Sequence, residues 1–293
     1  MPTTPLRTLI VGAGDLGLGL AETLLAVGNQ VYTLNRSGRT VPGATPIVAD
    51  LADAATLAGL PAVDLVVFTT APPGRAETDY LLAYQDGPTR VMGALPRYPT
   101  RVILISTSGV IGTDDGSWVD ETTDTAPTRR TAEIVRHGEE WLAQRFSTTS
   151  VRPTGIYGPG RRSLLDRVRR GEAATAADGT PRWTNRIHRD DVVSALAIVA
   201  AHQAPPPVLI ATDDEPAMKD TVIAHLATRL EAPTPPTITV DRVSGKRCRN
   251  GLLRSLGWAP AFPGFIPGYE DVLRREASTP AEDQSEAPSP QPQ

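Results

Sequence analysis

The residues of this chain that could do chemistry begin at Gly12-Ala13-Gly14-Asp15-Leu16-Gly17. The apolar run Leu9-Ile10-Val11 leads into them, and a helix-periodic segment follows (Leu16, Leu20, Leu24, Leu25, Val27). Strand, tight turn and helix form the context in which Gly-x-Gly-x-x-Gly points to a dinucleotide. Gly12 permits the sharp turn, Gly14 lets a pyrophosphate approach the backbone, and Gly17 lets the helix pack closely on the strand. The first N–H groups of the helix lack internal partners and carry the positive end of its dipole, so they suit an anion. A glycine-rich turn without a ligand is the plainer alternative, and the context favours binding.

Val31-Tyr32-Thr33-Leu34 reads as the next strand and ends at Asn35-Arg36-Ser37-Gly38-Arg39. At such a strand tip an acidic residue accepts from the ribose 2′-hydroxyl of NAD and repels the 2′-phosphate of NADP. The tip here is neutral Asn35, followed by Arg36, whose guanidinium can pair with a phosphate. NADP(H) is therefore favoured over NAD(H), although Arg36 and Arg39 would also serve as ordinary loop arginines. Asp50-Leu51 ends a third strand, where an adenine amino group could be read. Thr69-Thr70-Ala71 ends a fourth, at the carboxyl edge where open α/β sheets bind ligands.

A second set of polar groups follows. Arg101–Ile105 runs into Ser106-Thr107-Ser108, whose hydroxyls would face the same crevice or simply tie down a turn. Tyr157 lies in a Gly/Pro-rich loop that also holds Arg161. His188 could titrate near neutral pH or brace the helix after it. Arg129, Arg130, Arg161 and Arg186 could hold an anionic substrate if they converge. Four scattered histidines lack ligand spacing, so no metal site is expected.

The elements that must position these groups are alternating strands and helices. Val63–Phe68 is a continuous apolar run, as in a parallel sheet covered on both faces. A helical region spans about 76–95 with a break at Gly87-Pro88, and further helices are expected over about 128–146, from Asp190, and over 218–230. The pattern predicts an α/β fold, a Rossmann-type doubly wound parallel sheet with a smaller C-terminal α/β substrate-binding region. Residues 1–158 form the dinucleotide-binding part. Residues 159–277 are mainly the substrate-binding region, with 186–203 returning to the first part. Residues 278–293, rich in Ser, Pro, Glu and Gln, read as a disordered tail. With 293 residues, 40% hydrophobic content and a net charge of −4, the chain has the profile of a soluble globular protein and lacks the basic block of a nucleic-acid binder. The single cysteine, Cys248, suits a reducing compartment. Neither a signal peptide nor a membrane span is evident, so a cytoplasmic location is expected.

The finer sequence resembles the short-chain dehydrogenase/reductases, in their extended branch of NAD-dependent epimerases and dehydratases. Gly12–Gly17 matches that family's cofactor turn and Asp50-Leu51 its adenine-contacting pair. Ser106-Thr107-Ser108-Gly109-Val110-Ile111-Gly112 is similar to its Ser-Ser-x-x-Val-Tyr-Gly. Arg152–Gly160 looks like its closing loop, Ile187–Val192 like its Ile-His-Val-Asp-Asp-Val, and Lys246-Arg247, Asn250 and Leu256-Gly257-Trp258 like its C-terminal pattern. The resemblance implies an NAD(P)-dependent oxidoreductase or epimerase/dehydratase-like enzyme for a small polar or sugar-derived substrate, with a homodimer by family analogy. It also exposes a departure. Typical members carry Tyr-x-x-x-Lys on the helix after the Ser/Thr strand. Counting from Glu139 and Leu142 puts Thr131 and Val135 at those positions, and no Tyr lies between Ile111 and Arg152. Thr107, Ser108 and Tyr157 are the candidates to fill the catalytic gap. Arg130, Arg161, Arg186 and His188 are the candidates to hold substrate. A catalytically degenerate NADP-binding sensor or scaffold is the alternative reading.

Overall fold

The computed structural model describes residues 5–278. Residues 1–4 and 279–293, which include most of the N-terminus and nearly all of the expected tail, lie outside the described residues. Seven strands form the central sheet: β1 (Arg7–Val11), β2 (Gln30–Asn35), β3 (Thr45–Val48), β4 (Leu65–Phe68), β5 (Arg101–Ile105), β6 (Thr148–Pro153) and β7 (Val208–Ala211). All are parallel, in the order β7-β6-β5-β4-β1-β2-β3. The order reverses between β1 and β4, the switch point at which such sheets open a ligand crevice.

Alternation along the strands divides the core. Leu9 and Val11 face one side with Phe68, Tyr84, Ile134, Val135 and Leu142. Ile10 faces the other with Leu20 and Leu24 of α1 (Asp15–Ala26) and Val192, Leu196 and Val199 of α6 (Arg189–Ala201). Helix α6 packs on α1, and Trp258 donates its indole N–H to Ser194 Oγ (2.9 Å). The chain thus returns to the sheet over more than 186–203: β7 adds the seventh strand, and Trp258 and Leu253 of α8 (Gly251–Ser255) join the α1/α6 layer. A separate apolar cluster makes the core of the C-terminal lobe. It includes Leu165 of α5 (Ser163–Arg169), Val222 and Leu226 of α7 (Lys219–Arg229), and Phe265 and Val272.

The expected break at Gly87-Pro88 has a specific form. Helix α2 (Glu77–Leu81) passes into a π-turn over Leu82–Asp86 and then into α3 (Gly87–Ala94). Proline cannot donate in a helix interior, and the wider turn accommodates it at the start of α3. The last helix, α9 (Phe265–Ser278), runs one residue into the segment expected to be a tail. Among the described residues, no helix is long and apolar enough to cross a membrane.

Helix α4 (Arg130–Ala143) is held by a buried ion pair. Arg152 of β6 donates to both carboxylate oxygens of Glu139, at 3.0 and 2.7 Å, with side-chain exposures of 6% and 8%. Gly138 lets the backbone approach the π-turn, because a Cβ there would lie 2.3 Å from the Tyr84 carbonyl oxygen. Removing one partner of a buried pair strands the other charge, a cost of about 3–5 kcal/mol. Glu139→Leu is therefore expected to lower stability by about that amount. Urea denaturation of both proteins checks this, and an unchanged midpoint would contradict it.

Candidate cofactor and reaction site

The glycine turn is built by close backbone contact. Gly12 has φ +99°, and a Cβ on it would lie 2.8 Å from the Thr70 nitrogen. At Gly17 a Cβ would fall 2.3 Å from the Gly12 carbonyl oxygen and 2.8 Å from the Thr69 hydroxyl. Thr69 Oγ1 donates to that same carbonyl (2.5 Å). Thr69 thus fastens the turn, a correction to its expected place as a cofactor contact. A Cβ on Gly14 would meet nothing within 4 Å, so the outer side of the turn is open. Leu16 is buried under α1, while the N–H groups of its first turn have no helical partners.

From this turn a cleft of about 160 Å³ runs along the carboxyl edge. Gly12, Asn35, Arg36, Asp50, Leu51, Thr70 and Ala71 line it, together with Leu34, Ala49, Pro73, Leu82 and Ala83. The last five were not picked out from the sequence because apolar lining looks like ordinary core. Asn35 shapes the loop beside it: its Oδ1 accepts from the N–H groups of Ser37 and Arg39 (both 3.0 Å), and its Nδ2 donates to the Arg39 carbonyl (2.7 Å). A carboxylate could accept those bonds but could not make the last one. Asp50 Oδ1 accepts from the Ala52 N–H (2.9 Å). These residues fit a dinucleotide, with an open glycine turn for the pyrophosphate and a neutral loop with an arginine at the ribose end.

Arg161 lies at the turn. It donates to both oxygens of Asp15 (2.6 and 2.9 Å), and Arg189 donates to the Asp15 carbonyl (2.7 Å). Burial pushes the Asp15 carboxyl up, but the Arg161 bonds and charge outweigh it and hold the carboxyl below its usual range. This corrects the expectation that Arg161 holds substrate. Arg189, which sequence reasoning missed, belongs to the same clasp.

The other expected residues separate. Thr107 and Ser108 remain at the end of β5, half-exposed. Thr107 Oγ1 accepts from the Gly109 N–H (3.0 Å), capping a 3-10 turn over Ser108–Val110 that packs against α4. Thr131 is half-exposed and Val135 is buried. Tyr157 is 4% exposed and packs on Tyr269 in the lobe core, with its hydroxyl pressed against α9 where Gly268 leaves room. Burial pushes that hydroxyl up. Tyr157 is therefore corrected from a crevice acid to a packing residue. His188 is fully buried and caps α6, its Nδ1 accepting from the Asp190 N–H (3.2 Å), so it braces the helix and does not meet substrate. Burial lowers its pKa. With Asp190 and Asp271 it has ligand-like spacing, but Arg275 already pairs with both acids. Arg130 pairs on the surface with Glu77 and Glu133 (both 2.9 Å), away from any converging set of arginines. Arg186 is buried and donates to Thr184 Oγ1 (2.5 Å). Its charge faces Tyr157, Tyr269 and Asp213.

Asp213 gave no sequence signal. It is 2% exposed, and burial pushes it up to about 8, with Arg186 opposing and Asp214 and Glu215 reinforcing the rise. Between the ordinary carboxylate range and about pH 8, the folded state keeps a proton that the unfolded chain has lost. Stability must therefore fall as pH rises through that window. Asp213→Asn is expected to remove that part of the fall. Thermal melts of both proteins at about pH 5 and about pH 8.5 check it, and equal losses in the two would refute it.

Comparison with known proteins accords with this geometry. The sequence matches the NAD dependent epimerase/dehydratase family over residues 8–211. Among solved structures, a protein from Methylobacillus flagellatus ascribed to the NAD-dependent epimerases/dehydratases is 30% identical, with TM-score 0.81 over 94% of this chain and 100% of its own. The UDP-glucose 4-epimerase of Thermus thermophilus, solved with NAD, is 18% identical (TM-score 0.75; 94% and 100% covered). The Bordetella bronchiseptica enzyme WbmG, solved with NAD and UDP, is also 18% identical (TM-score 0.76; 94% and 95% covered). The last two show the fold alone. No curated protein matches the sequence. The chain belongs to the NAD-dependent epimerase/dehydratase family.

Proposed function

We propose that this protein is an NADP(H)-dependent oxidoreductase or epimerase/dehydratase-type enzyme acting on a small polar or sugar-derived substrate. The observation that carries the cofactor preference is the ribose end of the cleft, where Asn35 folds the loop and Arg36 lines the wall. No salt bridge occupies Arg36 among the described residues. Bound there, the nicotinamide would supply hydride chemistry. Asp50 and Leu51 would hold the adenine, Gly12–Gly17 the pyrophosphate, and Thr107 and Ser108 would orient a substrate oxygen at the end of β5.

A second reading, a nucleotide-dependent sensor or scaffold, draws on Val135: an apolar buried side chain stands where the resemblance places a ribose-binding lysine. Turnover of any carbonyl substrate would exclude it. A homodimer rests on family analogy alone, and a cytoplasmic setting is supported by the buried free thiol of Cys248.

Calorimetric titration is expected to show tighter binding of NADPH than of NADH. Arg36→Ala should weaken NADPH roughly ten- to a hundredfold, the worth of a charge-assisted bond, and leave NADH nearly unchanged. Equal affinities in the native protein would sink the preference. Gly14→Asp places a carboxylate in the open side of the turn, so it should abolish binding of both cofactors and leave the thermal midpoint close to native. Undiminished affinity would refute the placement of the pyrophosphate.

A further inference from the structure

We propose that Lys246 is the proton donor of the reaction crevice, taking the part that the family's tyrosine plays elsewhere. This inference rests on the oxidoreductase reading above. Lys219 and Lys246 are the only lysines in a chain with 29 basic residues. Arginine serves the ion pairs described above, and its guanidinium is unable to release a proton near neutral pH; a lysine can.

The position is set by strand pairing. Arg247-Cys248 runs parallel to Trp118-Val119, and the Asn185 side chain grips this segment at both ends, donating to the Lys246 carbonyl (2.8 Å) and accepting from the Cys248 N–H (2.7 Å). Lys246 is thereby carried back to the turn that follows β5, where its Nζ donates to the Ile111 carbonyl. That carbonyl follows directly on the Ser108–Val110 turn, which Thr107 caps and against which α4 packs. The ammonium is therefore held at the residue that closes the turn bearing Thr107 and Ser108, the hydroxyls proposed to orient the substrate oxygen.

Its chemistry is that of a held, incompletely satisfied donor. One N–H is bonded and two remain. Among the described residues no carboxylate forms an ion pair with it. The acid whose field reaches it, Asp114, is engaged by Arg242 (2.7 Å) and by the Gly245 N–H (2.6 Å). The neighbouring Cys248 thiol is pushed up to about 12 by burial and stays neutral. Burial also lowers the ammonium's own pKa, bringing it toward the range useful for proton transfer.

In the reductive direction, a nicotinamide held in the cleft would supply a hydride to the carbonyl carbon, and the C=O π pair would move to oxygen. Lys246 gives that oxygen a proton. A C–H and an O–H bond form, the lysine is left as a neutral amine, and solvent reprotonates it. The donor must be charged at the start, so the rate falls as pH rises through the lysine's pKa.

Trace acetylation of the full chain with acetic anhydride, from about pH 6 to about pH 10, tests the placement without needing a substrate. Mass spectrometry reads Lys246 against Lys219, the internal control in the lobe. Lys246 is expected to react, to titrate below the ordinary lysine value, and to be shielded severalfold by saturating NADPH, with Lys219 unaffected. An inert Lys246, an ordinary titration, or bound NADPH that leaves its labelling unchanged would overturn the proposal. A separate NADPH titration shows whether the cofactor reading itself has failed; in that event reactivity and titration in the ligand-free protein still decide for or against Lys246. With a panel of small hydroxyaldehydes and ketones, Lys246→Met is expected to lose about a hundredfold or more in kcat with NADPH affinity unchanged. Lys246→Arg keeps the positive charge but releases no proton near neutral pH, so it should lose turnover about as far as Lys246→Met. Native-like turnover in Lys246→Met would overturn the assignment, and where no panel member is reduced the labelling decides.

Discussion

Everything at the site depends on a contact that any side chain would destroy. The end of β1, the first turn of α1 and the end of β4 meet through backbone at Gly12, Gly17 and Thr69-Thr70, and a Cβ at Gly17 would lie 2.3 Å from a carbonyl oxygen. That distance fixes how near α1 stands to the sheet, and hence where its unpaired N–H groups point. The crevice opens beside this junction because the strand order reverses there. The flanking layers then hold the junction, through α6 packed on α1 and Arg189 bonded to the Asp15 carbonyl.

Charge at the junction needs its own balance. An acidic residue in the first turn of a helix suits the dipole, yet the same carboxylate would repel an incoming phosphate. Asp15 is such a residue, and Arg161 from the loop after β6 neutralises it through two bonds. The loop is thereby tied to the glycine turn. Arg161 and Arg152 neutralise the carboxylates of Asp15 and Glu139, whereas Arg36 faces an open cleft.

The sheet and the grouping of Gly12, Asn35, Arg36 and Asp50 along one cleft were legible because their signals are local. Glycine spacing, alternating apolar strands and the polar tip at Asn35 each act over a few residues. The reaction end was less legible because burial is a property of the whole fold. Tyr157 looks like a crevice acid in a Gly/Pro-rich loop, but Gly268, more than a hundred residues away, makes room for its ring in the lobe. His188 and Arg186 likewise read as polar candidates until α6 and α9 enclose them. Asp213 and Lys246 drew no notice as site residues, since nothing in their neighbours' sequence announces that they are desolvated. The scarcity of lysine was the signal available for the second.

The buried pair between Glu139 and Arg152 has a consequence for the history of this fold. It fixes the rotation and height of α4 against β6 independently of what the helix's first turn carries. The residues at positions 131 and 135 can therefore vary without the helix losing this anchor. Selection on that face is uncoupled from selection for the frame that supports it. The exposed face of the helix can therefore vary while the frame that presents it stays in place.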